Sequence, residues 1–380
     1  MKQANDFLID MLDFDAPETA DDTLWRACRP TGISCASNGD AFLMIPFQAQ
    51  KKGLEVEANS EIARKEYKLR VRAYGDSILR LSIAFDESGP DDDSPMLEMH
   101  DSLVVETLSA QTTDSGWEIR DSHDRLRMRV NLAESPIKVW SDLQPPPDET
   151  LDIELFPDGK TSVPLMAYDQ FFPQKHDSMA MAFVERAGVP HRALFSFHAR
   201  PNEKFTGTGE RFARLDLAGR TFILENTDGL GVNSRRAYKN IPFYLTSRPY
   251  GLFIHSSAHI RLSLADTSTR AAQGLVEESG LDLFIIGGGA VEQVMYNYRR
   301  LTGFPQDVPV WSYGTWMSRM TYFSEEEVRT VARKLREGDF PCDVLHLDTG
   351  WFAKDWVCEW EFSRERFPDP EMFIKDMQDD

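Results

Sequence analysis

The chain has 380 residues, of which 41% are hydrophobic, and its formal net charge is −20. This length leaves room for two domains or more, and the hydrophobic fraction is that of a soluble globular protein. So large an acidic excess repels nucleic acid and anionic lipid, which argues against both as partners, whereas neutral substrates are not excluded.

The four cysteines are placed without any recognisable pattern. Cys28, Cys35, Cys342 and Cys358 match no zinc or redox spacing, and four is few for a disulfide-stabilised protein of this size. The first twenty residues are acidic and lack the basic region and apolar core of a signal peptide. No apolar run is long enough to cross a bilayer. We therefore expect a soluble protein of the cytoplasm with reduced thiols and no membrane contact.

Short strands separated by turn signals fill most of the chain before residue 300. Residues 67–74 alternate apolar and polar side chains, and a Gly75-Asp76 turn leads to a second strand at 77–84, which predicts a hairpin. Further strands are predicted at 41–47, 117–120, 124–130, 193–198, 237–246, 250–255 and 281–286. This pattern favours a β-sandwich over residues 41–301, preceded by residues 1–40 as an extension or a first strand.

Two charged features of this part have both a functional and a structural interpretation. Arg125, Arg127 and Arg129 alternate with apolar residues and so share one face of a strand. A solvated outer face is favoured over an anion site. The acidic run in residues 89–95 is interpreted as a solvated loop, because charge runs are rarely metal sites. No metal site is therefore predicted.

Two glycine-rich segments have anion binding as one of their interpretations. The glycines in residues 205–212 permit a tight loop, but no following helix and lysine support a phosphate-binding loop. Three glycines at 287–289 precede a helix predicted at 290–301. A flexible connector is favoured there over anion binding at the helix terminus, because the wider dinucleotide fingerprint is missing.

The pattern changes after residues 302–309, a Pro- and Gly-rich stretch that we interpret as a domain junction. Strands predicted at 311–317 and 342–348 each end in polar and aromatic residues, and Ser324 and Glu327 form a capping box for a helix between them. This order predicts a β-α-β unit with functional side chains at the carboxyl ends of its strands.

Details of this unit give further expectations. Gly338 is predicted to close the first helix at the C′ position, and Asp369 with Pro370 is predicted to begin a second helix. The strand at 342–348 is mostly apolar, as a buried parallel strand would be. His346 is accordingly interpreted as a buried core histidine.

Four segments together resemble glycoside hydrolase family 31, which contains α-glucosidases, α-xylosidases and related transglycosylases. They are residues 205–212, 237–246, 311–322 and 346–370, and their order and spacing carry the resemblance from about residue 200 onward. The segment Tyr238–Tyr244 and Cys358 resemble the bacterial α-xylosidases in particular. The resemblance implies a mixed β and α/β fold: a galactose-mutarotase-like β-sandwich, and then the first strands of an incomplete (β/α)8 TIM barrel over residues 302–380.

The resemblance also implies a catalytic mechanism, and it implies that the catalytic residues of that mechanism are absent from this chain. Members of the family hydrolyse α-glycosides with retention, using a carboxylate nucleophile and a carboxylic acid about 5 to 5.5 Å apart. Both come from later barrel strands, and no residue here matches either motif, so no catalytic residue is predicted. A barrel needs roughly 250 residues. The chain alone is therefore expected to be inactive and poorly folded, and no metal or organic cofactor is implied.

Asp348 is the first residue predicted to bind substrate. It ends the second barrel strand, where the resemblance implies a carboxylate that accepts hydrogen bonds from hydroxyls of the non-reducing sugar. A helix-capping or loop role is the alternative. Trp351 is predicted to stack on a sugar face or to pack in the core, and the same alternatives hold, more weakly, for Trp356 and Trp360.

Arg319 and Glu210 complete the predicted substrate-binding set. Arg319 either reaches the site or pairs with a surface acid. Glu210, beside Arg211, lies in a loop that resembles a sandwich loop directed at the active site, although structural pairing is the alternative. Thr349-Gly350 stands where α-xylosidases usually carry a bulkier pair. The absent side chain at Gly350 is expected to leave room for a hydroxymethyl group, which makes a hexoside as good a candidate as a xyloside.

We therefore predict the amino-terminal portion of a retaining α-glycosidase of carbohydrate metabolism. Its partner would be an α-linked oligosaccharide or glycoside, a xyloside or a glucoside, bound at the non-reducing end. The complete enzyme could form a homo-oligomer. The alternative is a non-catalytic carbohydrate-binding or complementing protein built on the sandwich, which a stable and monodisperse chain would favour.

Overall fold

The computed structural model describes residues 22–49, 63–86, 94–132, 151–165, 180–227, 237–354 and 357–379. The acidic run at 91–93 and Trp356 lie outside the described residues. The chain divides into two compact units, Met1–Phe304 and Pro305–Asp380. The finer domain ranges expected from the sequence stay predictions.

Strands dominate the first unit. Its described strands are, in chain order, β1 (Asp22–Ala27), β2 (Gly32–Cys35), β3 (Ala41–Ala49), β4 (Arg64–Tyr74), β5 (Ile78–Ala84), β6 (Val105–Glu106), β7 (Ser109–Thr113), β8 (Gly116–Arg120), β9 (Leu126–Asn131), β10 (Ile153–Leu155), β11 (Val163–Pro164), β12 (Met181–Arg186), β13 (Val189–His198), β14 (Phe205–Gly209), β15 (Arg220–Leu224), β16 (Asn240–Thr246), β17 (Gly251–Ile254), β18 (Ile260–Leu264), β19 (Ala271–Val276) and β20 (Gly280–Ile286). The helix α1 (Val291–Thr302) follows them.

These strands form two antiparallel sheets that share one core. The large sheet has the order β14-β16-β17-β20-β5-β4-β3-β1-β12-β13-β19-β18-β15, with β2 beside β3 and β6 beside β4. The small sheet has the order β11-β10-β9-β8-β7. Ile119 and Met128 of the small sheet lie in the same apolar core as Leu43 and Val71 of the large one. The sandwich-like β-architecture expected from the alternating pattern is thus confirmed.

Local turn signals gave correct hairpins. Strands β4 and β5 pair antiparallel from Tyr74↔Ile78 outward, and Gly75 adopts the left-handed φ of 51° that the turn requires. Strands β16 and β17 pair in the same way. Residues 22–35 also belong to the sheet, because β1 lies between β3 and β12.

The predicted outer face of three arginines is wrong at Arg127. The register between β8 and β9 shifts so that Ile119 faces Met128 while Arg120 faces Leu126, which leaves Arg127 without a direct partner on β8. Such a bulge breaks the alternation of side chains. Arg127 is consequently buried, whereas Arg129 stays exposed.

The two terminal nitrogens of the buried Arg127 guanidinium donate to main-chain carbonyls and to one carboxylate, whereas its Nε has no hydrogen-bond partner among the described residues. It donates to the carbonyl oxygen of Ile78 at 3.0 Å and to Oδ2 of Asp121 at 3.3 Å. A longer contact of 3.4 Å reaches the carbonyl of Gly75 in the β4–β5 turn. Burial lowers the pKa of Arg127 to about 10. The side chain thereby links the small sheet to the turn of the large one.

The glycines at 287–289 connect β20 to α1 through an internal carboxylate. The N–H of Gly288 donates to Oδ2 of Asp158 at 3.2 Å. The carbonyl of Gly287 accepts from Nδ2 of Asn297, in the second turn of α1, at 2.8 Å. An amide that could have met an external anion is therefore already bound within the chain.

The second unit contains a β-α-β unit with parallel strands. A single turn of 3-10 helix (Val310–Tyr313) precedes β21 (Trp316–Ser318), and α2 (Glu325–Glu337) leads to β22 (Val344–His346). The two strands pair in parallel, with Trp316 opposite Val344. Both are shorter than expected, and the prediction of a buried second strand is wrong. Among the described residues β22 has one neighbouring strand, so it is half-buried and His346 is exposed rather than in the core.

The predicted cap of α2 is confirmed at its amino end, at Ser324, but not at its carboxyl end. Oγ of Ser324 accepts from the N–H of Glu327 at 3.2 Å, which is the first bond of a capping box. The Glu327 carboxylate reaches back one residue further than in a standard capping box and accepts from the N–H of Phe323 at 2.8 Å. At the other end Gly338 has a φ of −87°, and the left-handed residue is Asp339, with a φ of 56°. Gly338 is thus the C-cap residue, and the C′ position that was predicted for it is occupied by Asp339, so that prediction is wrong by one residue.

The last helix, α3 (Pro370–Asp379), begins as predicted. Oδ1 of Asp369 accepts from the N–H of Met372 at 3.0 Å, which satisfies one of the free donors of the first turn. No helix in the described ranges is long and apolar enough to cross a membrane. The second unit has a small core of its own, formed by Tyr322, Val328, Phe367 and Phe373.

Candidate functional site

Asp348 lies just beyond the carboxyl end of β22, in a constrained backbone position. Its φ is 60°, and it forms an isolated antiparallel bridge with Thr321, which follows β21. Aspartate tolerates the left-handed region better than most residues. Its side chain is half-exposed, and no hydrogen bond or ion pair joins its carboxylate to another described residue. The carboxylate can therefore accept hydrogen bonds from a ligand.

Gly350 is buried beneath this turn, and the space expected beside it does not exist. A Cβ atom at Gly350 would lie 2.2 Å from Oγ1 of Thr321 and 2.4 Å from the carbonyl oxygen of Tyr322. Such distances are far inside van der Waals contact. Glycine is thus required by packing within the unit, and the argument that Gly350 leaves room for a hydroxymethyl group is wrong.

Trp351 follows in the same turn and is the centre of an aromatic cluster. Its ring centroid lies 4.1 Å from that of Phe352, 4.7 Å from that of Phe362 and 6.2 Å from that of Trp360. Trp351 is half-buried, so it packs in the core and still presents part of its ring. Trp360 is 79% exposed. The cluster therefore offers aromatic surface close to Asp348 in sequence.

The segment that ends in Trp360 has an unusual backbone. Cys358 and Trp360 both have left-handed φ values, 55° and 60°. The N–H of Lys354 donates to Oε1 of Glu359 at 3.2 Å. Hydrogen bonds from the backbone N–H groups of Glu359 itself, Lys354 and Ala353 lower the pKa of Glu359. This carboxylate thus holds the segment in place by accepting main-chain donors.

Arg319 pairs with an acid, as the second interpretation of this residue holds. Its guanidinium forms an ion pair with Glu327 and donates to the carbonyl of Thr321 at 3.1 Å. It also lies 4.4 Å from the ring centroid of Tyr322. Arg319 thus supports the residue that bridges to Asp348. Direct contact of Arg319 with sugar stays a prediction.

Glu210 belongs to the first unit and is strongly exposed. Its carboxylate is 72% exposed and lies 3.5 Å from Nζ of Lys239, so it forms a surface ion pair. Its neighbour Arg211 is more buried. Arg211 bonds to the amide oxygen of Asn240 and, at 3.0 Å, to the carbonyl of Ile223. Removal from water lowers the pKa of Arg211. Arg211 therefore has a structural role, because it pairs with groups of the same unit. A substrate-binding role for Glu210 stays a prediction.

The glycines before Glu210 shape the end of β14. Gly207 and Gly209 have φ values of 116° and 89°. A Cβ atom at Gly209 would lie 2.1 Å from the carbonyl oxygen of Lys239. Side chains are thus excluded by both backbone angle and space. The close-approach loop expected from these glycines is confirmed, and it approaches β16.

Sequence reasoning missed Arg366, which contacts the turn that carries Asp348. Its Nη1 donates to the carbonyl oxygen of Gly350 at 3.0 Å and lies 3.5 Å from that of Phe352. Bonds from an arginine to main-chain carbonyls leave no pattern in a sequence. Among the described residues, no cluster of three or more His, Cys, Asp or Glu side chains could hold a metal ion.

The second unit thus brings Asp348, Trp351 and the residues that support them into one region. Comparison with known proteins shows the same division of the chain. The family model of the glycosyl hydrolase 31 N-terminal galactose mutarotase-like domain matches residues 68–262. The model of the glycosyl hydrolases family 31 TIM-barrel domain matches residues 305–380.

Two curated relatives are similar over about half of the chain. The α-xylosidase XylQ of Lactiplantibacillus pentosus is 36% identical over 180 residues, which are 47% of this chain and 24% of that protein. An α-xylosidase of Emericella nidulans is 35% identical over 189 residues, 49% of this chain and 24% of the relative. The matched part of the chain spans about a quarter of the length of each.

A solved structure agrees in fold across both units. The family 31 dextranase of Flavobacterium johnsoniae, in complex with isomaltotriose, superimposes with a TM-score of 0.65. The match covers 93% of this chain and 37% of the dextranase at 18% sequence identity, so it speaks for the fold alone. The first family model alone matches slightly more than half of the 380 residues. The chain therefore belongs to glycoside hydrolase family 31.

Proposed function

We propose that this chain is the amino-terminal portion of a retaining α-glycosidase and contributes the sugar-binding edge of its site. The observation that carries the proposal is the Asp348 carboxylate, which is half-exposed, without a described partner, and followed by Trp351 at the carboxyl end of a parallel strand. A carboxylate can accept two hydroxyl protons, and an aromatic ring offers an apolar face to a sugar. Together they would orient the non-reducing sugar.

The proposed substrate is an α-linked xyloside or glucoside. The relatives at 36% and 35% identity are both named α-xylosidases, which supports the first. An α-glucosidase of Bacillus thermoamyloliquefaciens, 29% identical over 182 residues, supports the second. Gly350 no longer favours a hexoside, since packing explains the glycine. Parallel titrations with xylose and with glucose would separate the two.

We also propose that hydrolysis requires groups outside these 380 residues. No residue here matches the motifs of the two catalytic carboxylates, and retaining hydrolysis needs both. The chain incubated with aryl α-xyloside and aryl α-glucoside should release no phenol above the uncatalysed rate. Turnover that co-purifies with the chain and vanishes on heating would refute this part of the proposal.

The test of the site is sugar binding by the full chain, followed through ligand-detected NMR. Asp348→Asn should raise the dissociation constant for the better monosaccharide about tenfold, because hydrogen bonds to a charged acceptor contribute roughly 1.5–3 kcal/mol. Asp339→Asn is the matched control, because Asp339 is also exposed, left-handed and in the second unit. Equal affinity in the wild type and Asp348→Asn would refute a binding role.

A non-catalytic carbohydrate-binding or complementing protein is the second candidate. The core of the first unit is formed by its own strands, which supports a sandwich that folds without a complete barrel. A monodisperse chain that binds oligosaccharide after removal of residues 305–380 would favour this candidate. A cytoplasmic location is likewise our proposal and depends on the unpatterned cysteines of the sequence.

A further inference from the structure

Three successive carbonyl groups of the turn after β22 are held by one short segment. Arg366 donates to the carbonyl of Gly350 at 3.0 Å and reaches that of Phe352 at 3.5 Å. Between them, the carbonyl of Trp351 accepts from the N–H of Ser363 at 2.9 Å. The segment Ser363–Arg366 therefore fixes the main chain on both sides of Trp351.

Arg366 is itself anchored to the start of α2. Its carbonyl oxygen accepts from the N–H of Glu325, the first residue of the helix, at 2.9 Å. Its guanidinium lies 5.9 Å from the ring centroid of Phe323, and its N–H donates to the carbonyl of Ser363 at 3.1 Å. The side chain therefore acts from a rigid element, because the helix terminus and the turn bind the same residue.

The opposite side of the turn is fixed by packing. Gly350 lies against Thr321 and Tyr322, and Asp348 bridges to Thr321. The left-handed φ of Asp348 is strained for a residue other than glycine and persists only where its surroundings determine it. Without the Arg366 guanidinium, the turn would keep the packing on Thr321 and the bond from Ser363 but would lose the bonds to the carbonyls of Gly350 and Phe352.

We propose that Arg366 is a positioning residue of the sugar site, which sets the orientation of Asp348 and Trp351 through the carbonyls of Gly350 and Phe352. This inference depends on the proposed binding role of Asp348. Arg366 does not contact the sugar. It holds the turn in the conformation in which the Asp348 carboxylate can accept hydrogen bonds from the sugar hydroxyl groups. The turn therefore does not have to be ordered when the sugar binds, and the affinity is not reduced by that entropic cost.

The experiment measures monosaccharide affinity in the full chain for Arg366→Met, Arg366→Lys and the control Arg364→Met. Arg364 lies in the same segment and is exposed. Its Nη1 lies 3.4 Å from the carbonyl oxygen of Pro368, which is not part of the turn that carries Asp348. Arg366→Met should raise the dissociation constant about tenfold, as expected for two lost hydrogen bonds. Arg366→Lys should recover part of the loss, and Arg364→Met should bind as the wild type does.

A double-mutant cycle separates positioning from general stability. In the Asp348→Asn background, Arg366→Met should raise the dissociation constant clearly less than tenfold, because the part of its effect that acts through Asp348 is already lost and only the part that acts through Trp351 remains. An equal tenfold loss in both backgrounds, or no loss in either, would overturn the inference. If Arg366→Met fails to fold, Arg366→Lys carries the same cycle. Absence of any effect of Asp348→Asn alone would instead refute the proposed function.

Discussion

At the scale of single residues, Arg127 is one of the charged side chains that are buried inside the sandwich. Its guanidinium is fully buried and bonds to Asp121 and to the carbonyl of Ile78. Removal of one partner of a buried pair typically costs about 3–5 kcal/mol. Arg127→Ala should therefore lower the free energy of unfolding by about 3 kcal/mol, measured by urea denaturation.

The matched variant is Arg129→Ala, two residues along the same strand. Arg129 is exposed and pairs with Glu118 and Glu154 at the surface. Exposed ion pairs contribute about 0–1 kcal/mol. Similar losses for the two variants would contradict the burial assigned to Arg127.

Gly350 is a second position at which we predict a change in stability, because adding a single Cβ atom there creates a steric clash. Gly350→Ala places a Cβ atom 2.2 Å from Oγ1 of Thr321, and forced contacts of this kind cost typically about 1–3 kcal/mol. The free energy of unfolding, measured by urea denaturation followed by tryptophan fluorescence, should fall by that amount. Gly32→Ala is the control, because the Cβ atom would meet its nearest neighbour, Cγ of Met44, at 3.9 Å. An unchanged transition for Gly350→Ala would show that the turn has room.

These residues also show which features of the structure can be predicted from a local sequence pattern. Alternation placed Arg125 and Arg129 towards the surface but failed at Arg127, since a bulge depends on the neighbouring strand. The position of Asp348 at a strand end followed from local order. The steric role of Gly350 did not, because Thr321 lies twenty-nine residues away and meets it only in the fold.

At the scale of elements, a buried ionic cluster joins the strands β5 and β20 and the end of β17. Arg80 binds Asp282 through two nitrogens, at 2.8 and 2.6 Å, and Ser82 and His255 bind the same carboxylate at 2.7 and 2.6 Å. Burial of Asp282 acts to raise its pKa, but the hydrogen bonds from Arg80, His255 and Ser82 outweigh burial, and the pKa is lowered.

The lowered pKa predicts how stability depends on pH. Because the folded-state pKa lies below the unfolded value of about 3.9, the ionised carboxylate stabilises the fold above that value. This stabilisation is lost as the pH falls through the folded-state pKa. Asp282→Asn should therefore lose about 3–5 kcal/mol at pH 7 in urea denaturation and differ less from the wild type below pH 3.

Asp124→Asn is the control for this pH dependence. The Asp124 side chain is 82% exposed, and asparagine accepts its left-handed backbone. It should change stability by less than about 0.5 kcal/mol at either pH. A deficit of Asp282→Asn that stays constant from pH 7 to below pH 3 would show that the charge of Asp282 is not the cause.

Elements were predicted best where their signals are local. The turn at Gly75 and the caps at Ser324 and Asp369 each depend on a few neighbouring residues, and each was found as expected. Long-range pairing had no such signal. Nothing near β1 indicates that it lies between β3 and β12, because that position depends on residues up to 164 positions away.

At the scale of the whole molecule, the two units differ in how much apolar surface they expose. Among the described residues, the large hydrophobic side chains of the second unit are exposed far more densely than those of the first. Val310, Tyr313, Met320 and Trp360 are each at least 78% exposed. Exposed apolar surface of this extent is typical of a site of interaction with other protein surface or of association.

This surface predicts that the chain binds a hydrophobic dye through its second unit. The full chain should enhance the fluorescence of anilinonaphthalene sulfonate and elute from a sizing column ahead of a monomer. Removal of residues 305–380 should abolish most of the dye signal, because the apolar strand edge and the exposed aromatic side chains leave with it. If the shortened chain binds as much dye as the full one, the exposed surface belongs to the sandwich instead. A full chain that is monomeric and silent to the dye would show that the second unit is closed, and would favour the non-catalytic binding protein over an unfinished barrel.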